Sequence, residues 1–249
     1  MSALVRTASA ARSPATIAER IQTIDWEHLS HDLDGQGSAI VGGLLSPKEC
    51  EQLRRLYARD ELFRSRVVMG HHGFGRGEYK YFAYPLPDII ESLRTGLYPH
   101  LVPIANGWNH LMGLAMRYPD RHTDFLARCH QAGQVKPTPL LLQYGLEDYN
   151  CLHQDLYGEH VFPLQLTILL SAPEQDFTGG EFVMTEQRPR MQSRPMVVPL
   201  RQGDGVLFAV HHRPVQGARG FYRVTLRHGV SRIRSGYRYT AGVIFHDAQ

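Results

Sequence analysis

Asp155 stands two residues after His153 in the run Cys151-Leu-His-Gln-Asp155. On an extended chain, residues i and i+2 project to the same face. One imidazole and one carboxylate would therefore point the same way. A second imidazole, His228, follows 75 residues later in Leu226-Arg-His-Gly-Val230. Two imidazoles and one carboxylate cover one face of an octahedral iron and leave three positions open, the donor set of non-haem Fe(II) oxygenases. The chain has 14 histidines, so spacing has to select among them.

Arg238 makes that selection sharper. It lies ten residues after His228, with Gly236 between them, in Val230-Ser-Arg-Ile-Arg-Ser-Gly-Tyr-Arg238. The stretch reads as strand, turn, strand, and the expected hairpin brings Arg238 back alongside His228. A planar guanidinium there would bind a carboxylate through two parallel hydrogen bonds. That suits a cosubstrate that chelates iron at one end and carries a carboxylate at the other. His211-His212 is the competing pair, but the residues ten further on are Phe221 and Tyr222.

The elements that must carry these groups divide the chain in two. Before residue 137 the reading is mostly helical. Thr16 to Leu33 reads as one helix, and Ser46-Pro-Lys-Glu49 is a helix start with Ser as cap and Glu three residues on. Pro87 to about Met116 is helical but should be kinked or split at Pro99 and Pro103. Asp120 to His130 is a further helix, and Arg66–Met69 with Tyr79–Phe82 forms a short hairpin around a Gly-rich loop. After Pro139 come seven short β-type runs separated by turn signals, the pattern of a sandwich or jelly roll. The expected architecture is α+β: a double-stranded β-helix over 138–249, with a helical region at 15–137 packed against it as one unit. Residues 1–14 read as a tail.

The order and spacing of Tyr144-Gly145, His153-Gln-Asp155, Gly179-Gly-Glu-Phe182, Gly203-Asp-Gly-Val-Leu-Phe208 and His228-x7-Gly236-x-Arg238 resemble the Fe(II)/2-oxoglutarate-dependent oxygenases of the prolyl-4-hydroxylase-like branch. More narrowly, His153-Gln-Asp-Leu-Tyr-Gly158, Phe177-Thr-Gly-Gly-Glu-Phe-Val183, Arg227-His-Gly-Val-Ser231 and the terminal Ile244-Phe-His-Asp-Ala248 look like a bacterial family. That family is predicted, by its relation to AlkB-type enzymes, to demethylate damaged nucleic-acid bases. The resemblance implies a dioxygenase using Fe(II), 2-oxoglutarate and O2, which hydroxylates a C–H bond and releases succinate and CO2. It implies His153, Asp155 and His228 as iron ligands. It implies Arg238 as partner of the distal carboxylate of 2-oxoglutarate and Tyr144 as a second cosubstrate contact. Thr240, at the same-face spacing after Arg238, is expected to support the same carboxylate. The C-terminal Asn-x-Tyr and the arginine pair of AlkB-type enzymes have no clear match, so the cosubstrate pattern is closer to the hydroxylase branch.

Substrate choice falls to other residues. Arg66, Tyr79 and Tyr81 are expected to face the substrate, because arginines interleaved with aromatics grip phosphates and stack a flipped base. Tyr149 and Asn150, just before the ligands, and Tyr157, just after, are expected pocket walls. Nucleic acid is one expected partner; a peptide or small molecule hydroxylated in the manner of prolyl-4-hydroxylase is the alternative. A non-enzymatic jelly-roll binding protein would need the triad or Arg238 disrupted, and all four residues are present. The small net charge of +3 hides a basic segment, with eleven arginines against the single acid Asp204 between Arg188 and Arg238. No apolar run is long enough for a membrane span. Three cysteines without a CxxC suggest reduced thiols and a cytoplasmic protein.

Overall fold

The computed structural model describes residues 15–249. The expected tail over 1–14 lies outside the described residues. The N-terminal part contributes helices α1 (Ile17–Gln22), α2 (Trp26–Gln36), α3 (Pro47–Leu56), α4 (Asp88–Leu111) and α5 (His122–Gln131). It also contributes strands β1 (Ser38–Val41), β2 (Phe63–Val68), β3 (Gly75–Arg76) and β4 (Glu78–Phe82). Eleven further strands follow: β5 (Leu140–Tyr144), β6 (Tyr149–His153), β7 (Leu164–Leu169), β8 (Phe177–Gly179), β9 (Phe182–Gln187), β10 (Arg194–Val198), β11 (Gly205–Ala209), β12 (His212–Gly217), β13 (Gly220–Val230), β14 (Ile233–Gly236) and β15 (Arg238–Ile244).

Local chemistry explains where the helices start. Thr16 with Glu19, and Ser46 with Glu49, form capping boxes for α1 and α3. The single helix expected over Thr16–Leu33 is two helices. Asp25 accepts a hydrogen bond from the His28 N–H and so caps a new helix, which ends the first. Of the kink or split expected at Pro99 and Pro103, the split does not occur: both prolines lie inside the single helix α4. Each interior proline disfavours a helix by about 3 kcal/mol. Here Leu93, Leu97, Tyr98, Leu101, Ala105 and Trp108 are buried in the main core, and that packing holds the helix through both prolines.

The strands form two facing sheets. The seven-stranded sheet has the order β1-β11-β7-β15-β5-β4-β2. Its edges are thus supplied by strands from before residue 137. The six-stranded sheet runs β10-β9-β13-β6-β3, with β12 paired to β13, and β14 pairs with β8 in a separate ribbon. This antiparallel arrangement, flanked by helices, is the jelly-roll core with a helical layer.

Strand alternation splits each central strand between two jobs. On β7, Leu164, Leu166 and Ile168 join α4 in the apolar core, while Gln165 and Thr167 line a cavity on the other face. On β15, Ala241 and Val243 face the helices, while Arg238, Thr240 and Gly242 line the same cavity. The expected hairpin from His228 to Arg238 is not formed. β13 and β15 lie in different sheets, and β14 between them pairs with β8. Arg238 therefore reaches the cavity from the sheet facing His228. No helix among the described residues is long and apolar enough to cross a membrane.

Candidate active site

The cavity between the sheets has a volume of about 330 Å³. His153, Asp155, His228, Arg238, Tyr144 and Thr240 all line it. His153 ends β6 and His228 lies in β13, and the two are direct cross-strand partners with ring centroids 4.2 Å apart. Asp155 follows just beyond the strand end. Its Oδ1 is 3.5 Å from His153 Nε2 and its Oδ2 is 3.4 Å from His228 Nε2. One ligand atom from each residue can be chosen so that all lie within 4.8 Å of one another.

The donor set fits a divalent cation. His153 Nδ1 lies 2.8 Å from the Cys151 carbonyl oxygen, so Nδ1 carries the proton and donates it there. Nε2 therefore faces a carboxylate oxygen, an arrangement that a proton or a metal cation can bridge. His228 is held differently, by packing against Phe208 and Phe182 at ring distances of 4.6 and 5.9 Å. Burial works against ionised Asp155, yet the two imidazoles hold its carboxyl well below the usual range. Burial also disfavours charge on His153, but Asp155 brings that imidazole above its ordinary value. His228 is lowered, by burial and then by the neighbouring His153.

The opposite end of the cavity carries a buried guanidinium. Arg238 is buried at 1% exposure, and its Nε and Nη1 have no hydrogen-bond partner. Burial alone pulls its pKa down to about 10. Its guanidinium carbon stands 5.6 Å from the Tyr144 ring and 5.9 Å from the Phe177 ring. The Glu181 carboxylate attracts it without hydrogen-bonding it, and a bound carboxylate would pair with the free N–H groups. Gly180 makes room: a Cβ there would sit 2.9 Å from Arg238 Cδ and 2.3 Å from Ile233 Cδ1. Tyr144 is fully buried opposite Arg238, and burial pushes its phenol up to about 12. The Asn150 side-chain amide donates to the Tyr144 hydroxyl at 3.4 Å.

Among the residues expected to face substrate, Tyr79, Tyr81 and Asn150 line the cavity. The two tyrosine rings meet edge to face at 5.4 Å, and Tyr157 extends the row from Tyr81 at 6.4 Å. Arg66 does not belong to this wall. It is exposed and forms an ion pair with Glu78, because its strand lies at the outer edge of the sheet. Tyr149 is not a lining residue either; it pairs with Arg76 of β3 and lies partly exposed. Gln165 and Thr167 were missed as cavity residues. Their signal was two polar residues at i and i+2 in the otherwise apolar run Leu164–Leu169. Gln165 Oε1 is buried without a partner.

The basic segment is dispersed. Arg188, Arg194 and the buried Arg213 converge on Glu186, and Arg232 pairs with Glu147. Of the eleven arginines only Arg238 lines the cavity. His211 and His212 stack on each other at 3.4 Å, away from the lining residues.

The model of a family described as an oxygenase catalysing oxidative methylation of damaged DNA matches residues 77–248. Two uncharacterised proteins from Mycobacterium tuberculosis, of strains CDC 1551 and H37Rv, are each 54% identical over 167 residues, covering 67% of this chain and 72% of the relative. Solved structures share the fold at low identity. A prolyl-4-hydroxylase from Pseudomonas putida superposes with a TM-score of 0.51 at 10% identity, covering 90% of this chain and 99% of that one. A 2OG-Fe(II) oxygenase family member from Burkholderia pseudomallei gives 0.50 at 14% identity, covering 91% and 93%. A prolyl hydroxylase from Trichoplax adhaerens, solved with a hypoxia-inducible-factor peptide fragment, gives 0.53 at 14% identity, covering 90% and 88%.

Proposed function

The chain belongs to the family of oxygenases described for damaged DNA, and we propose that it oxidatively demethylates alkylated bases in nucleic acid. It is an oxidoreductase whose cofactors are Fe(II), 2-oxoglutarate and O2. His153, Asp155 and His228 would hold the iron, and Arg238, with Tyr144 and Thr240, would hold the distal carboxylate of 2-oxoglutarate. Bound there, iron and cosubstrate supply hydroxylation of a C–H bond, with succinate and CO2 as the co-products. On an N-methyl group this inserts oxygen into a C–H bond, and the resulting N–CH2OH breaks its N–C bond to leave N–H and formaldehyde. Such oxidation removes a methyl group rather than adding one.

The observation that carries the reading is the pairing of two complementary groups in one cavity. A His-Asp-His cluster presents cation-binding atoms, and across from it the buried guanidinium of Arg238 has Nε and Nη1 without a protein partner. A ligand with a chelating head and a carboxylate tail satisfies both. The protein's remaining work is positioning and exclusion of water. The wall of Tyr79, Tyr81 and Tyr157 supports a planar substrate, because rings meet stacked or edge-on partners favourably.

A second reading, hydroxylation of a peptide or small molecule, is favoured by the rim. Phe74 and Leu152 are exposed there at 48% and 45%, where a phosphate-gripping mouth would present cations. The test is succinate formation across methylated DNA and RNA oligonucleotides and proline-containing peptides. Stimulation by methylated oligonucleotides, with formaldehyde released in equal amount, is the expected result. Stimulation by peptides alone, or oligonucleotide binding that does not weaken with salt, would overturn it.

A further inference from the structure

We infer that Tyr157 is a positioning residue for the Asp155 carboxylate, an inference that rests on the iron-ligand reading given above. The Tyr157 hydroxyl donates to Asp155 Oδ1 at 2.7 Å. The other oxygen, Oδ2, lies opposite His228 Nε2. With a lone pair of Oδ1 occupied, the carboxylate is held against rotation about its Cβ–Cγ bond. Oδ2 then stays fixed relative to both imidazoles. A symmetric grip on a cation through both oxygens would have to compete with the phenol. Groups that hydrogen-bond a ligating side chain set its orientation and its donor strength.

Tyr157 is itself anchored from two sides. Its ring packs with Tyr81, Leu140 and Ile244 in a small apolar cluster. Its backbone carbonyl accepts a hydrogen bond from Gln134 Nε2 at 3.1 Å. Gln134 is fully buried and ties the same loop down further. Its amide donates to the His160 and Asp247 carbonyls, and its Oε1 accepts from the His160 N–H at 2.7 Å. Gly158 completes the mould. It has φ of +90°, and a Cβ there would lie 2.5 Å from Gln134 Cδ. The loop after Asp155 is thus shaped around one buried glutamine, and the outcome is a phenol aimed at one carboxylate oxygen. A side chain present only to fill space would not need its hydroxyl.

The test is Tyr157→Phe, which removes the hydroxyl and keeps the ring. Anaerobic titrations with Fe(II) and with Co(II) would be compared between the variant and the wild-type protein, together with the Co(II) ligand-field spectrum. The expected result is metal affinity weaker by roughly ten- to a hundredfold and displaced ligand-field bands, with the melting temperature of the metal-free protein little changed. Equal affinity with superimposable bands would overturn the inference, and so would a lowered melting temperature with unchanged bands. Should Tyr157→Phe fail to fold, 3-fluorotyrosine placed at 157 keeps the ring and hydroxyl while altering donor strength. Displaced Co(II) bands then support the positioning role, and unchanged bands overturn it. Wild-type protein that takes up neither metal would overturn the iron-ligand reading itself, a distinct outcome.

Discussion

Arg238 and Tyr144 are cross-strand partners on β15 and β5, and neither side chain satisfies the other. The phenol lies under the guanidinium without hydrogen-bonding it, and Arg238 Nε and Nη1 remain unpartnered. Arg238→Met should therefore act in opposite directions on stability and binding. The metal-free protein should melt at or above the wild-type temperature, because a buried charge with two unpartnered nitrogens is removed. The apparent affinity for 2-oxoglutarate should fall by about 2–5 kcal/mol. Calorimetric titration in the presence of Mn(II) and thermal melts check both signs.

Gly180→Ala tests the room left for that arginine. The new methyl group meets Ile233 Cδ1 and Arg238 Cδ, and the backbone φ of +63° is itself unfavourable for alanine. The affinity for 2-oxoglutarate should drop at least tenfold while metal uptake is retained. Equal affinity for both would show that Arg238 is placed by other contacts.

Arg94 and Asp247 form an ion pair with both side chains fully buried, and Tyr84 and His130 also bond the carboxylate. Burial opposes ionised Asp247, but Arg94 holds its carboxyl below the usual range. Asp247→Ala leaves the Arg94 charge buried and unpaired, so denaturant unfolding should show a loss of about 3–5 kcal/mol. Replacing both, as Arg94→Met with Asp247→Leu, should recover much of it.

His122 sets a pH dependence of folding. Its Nε2 donates to the Phe245 carbonyl at 2.8 Å, and burial, with Arg94 nearby, pushes its pKa down to about 4. The folded state thus keeps His122 neutral while the unfolded chain protonates it near its ordinary 6.5. Between those values the unfolded state binds more protons, so stability rises with pH. Acidification from pH 7 to pH 5 should cost about 2 kcal/mol through this residue. His122→Gln, which can still donate to the carbonyl, should flatten the slope by that amount in melts across the range.

Much of the site was legible because it depends on short-range geometry. Alternation along an extended chain put His153 and Asp155 on one face, and the same rule put Arg238 with Thr240. The capping boxes at Thr16 and Ser46 were likewise local. One error overlooked a local signal, and the others concern longer-range events. Asp25 ended a helix that apolar spacing alone would continue. Core packing carried α4 through two prolines. Arg66, expected at the substrate wall, turned to Glu78 because its strand is an edge strand.

Residue types and their spacing by themselves singled out His153, Asp155, His228 and Arg238 and determined a jelly-roll rhythm of strands. Only the tertiary structure decided how these meet. Spacing allowed Arg238 to return as a hairpin beside His228. Strand pairing instead placed it in the facing sheet, so the His-Asp-His cluster and the buried guanidinium confront one another across a cavity. It also gathered Arg188, Arg194 and Arg213 onto the single Glu186, so that three of the eleven arginines carry ion pairs and one of them, Arg213, is buried. The physical reason is that hydrogen-bond registry between distant strands, and the desolvation of charges they bring together, are properties of the assembled sheets and of no local stretch of chain.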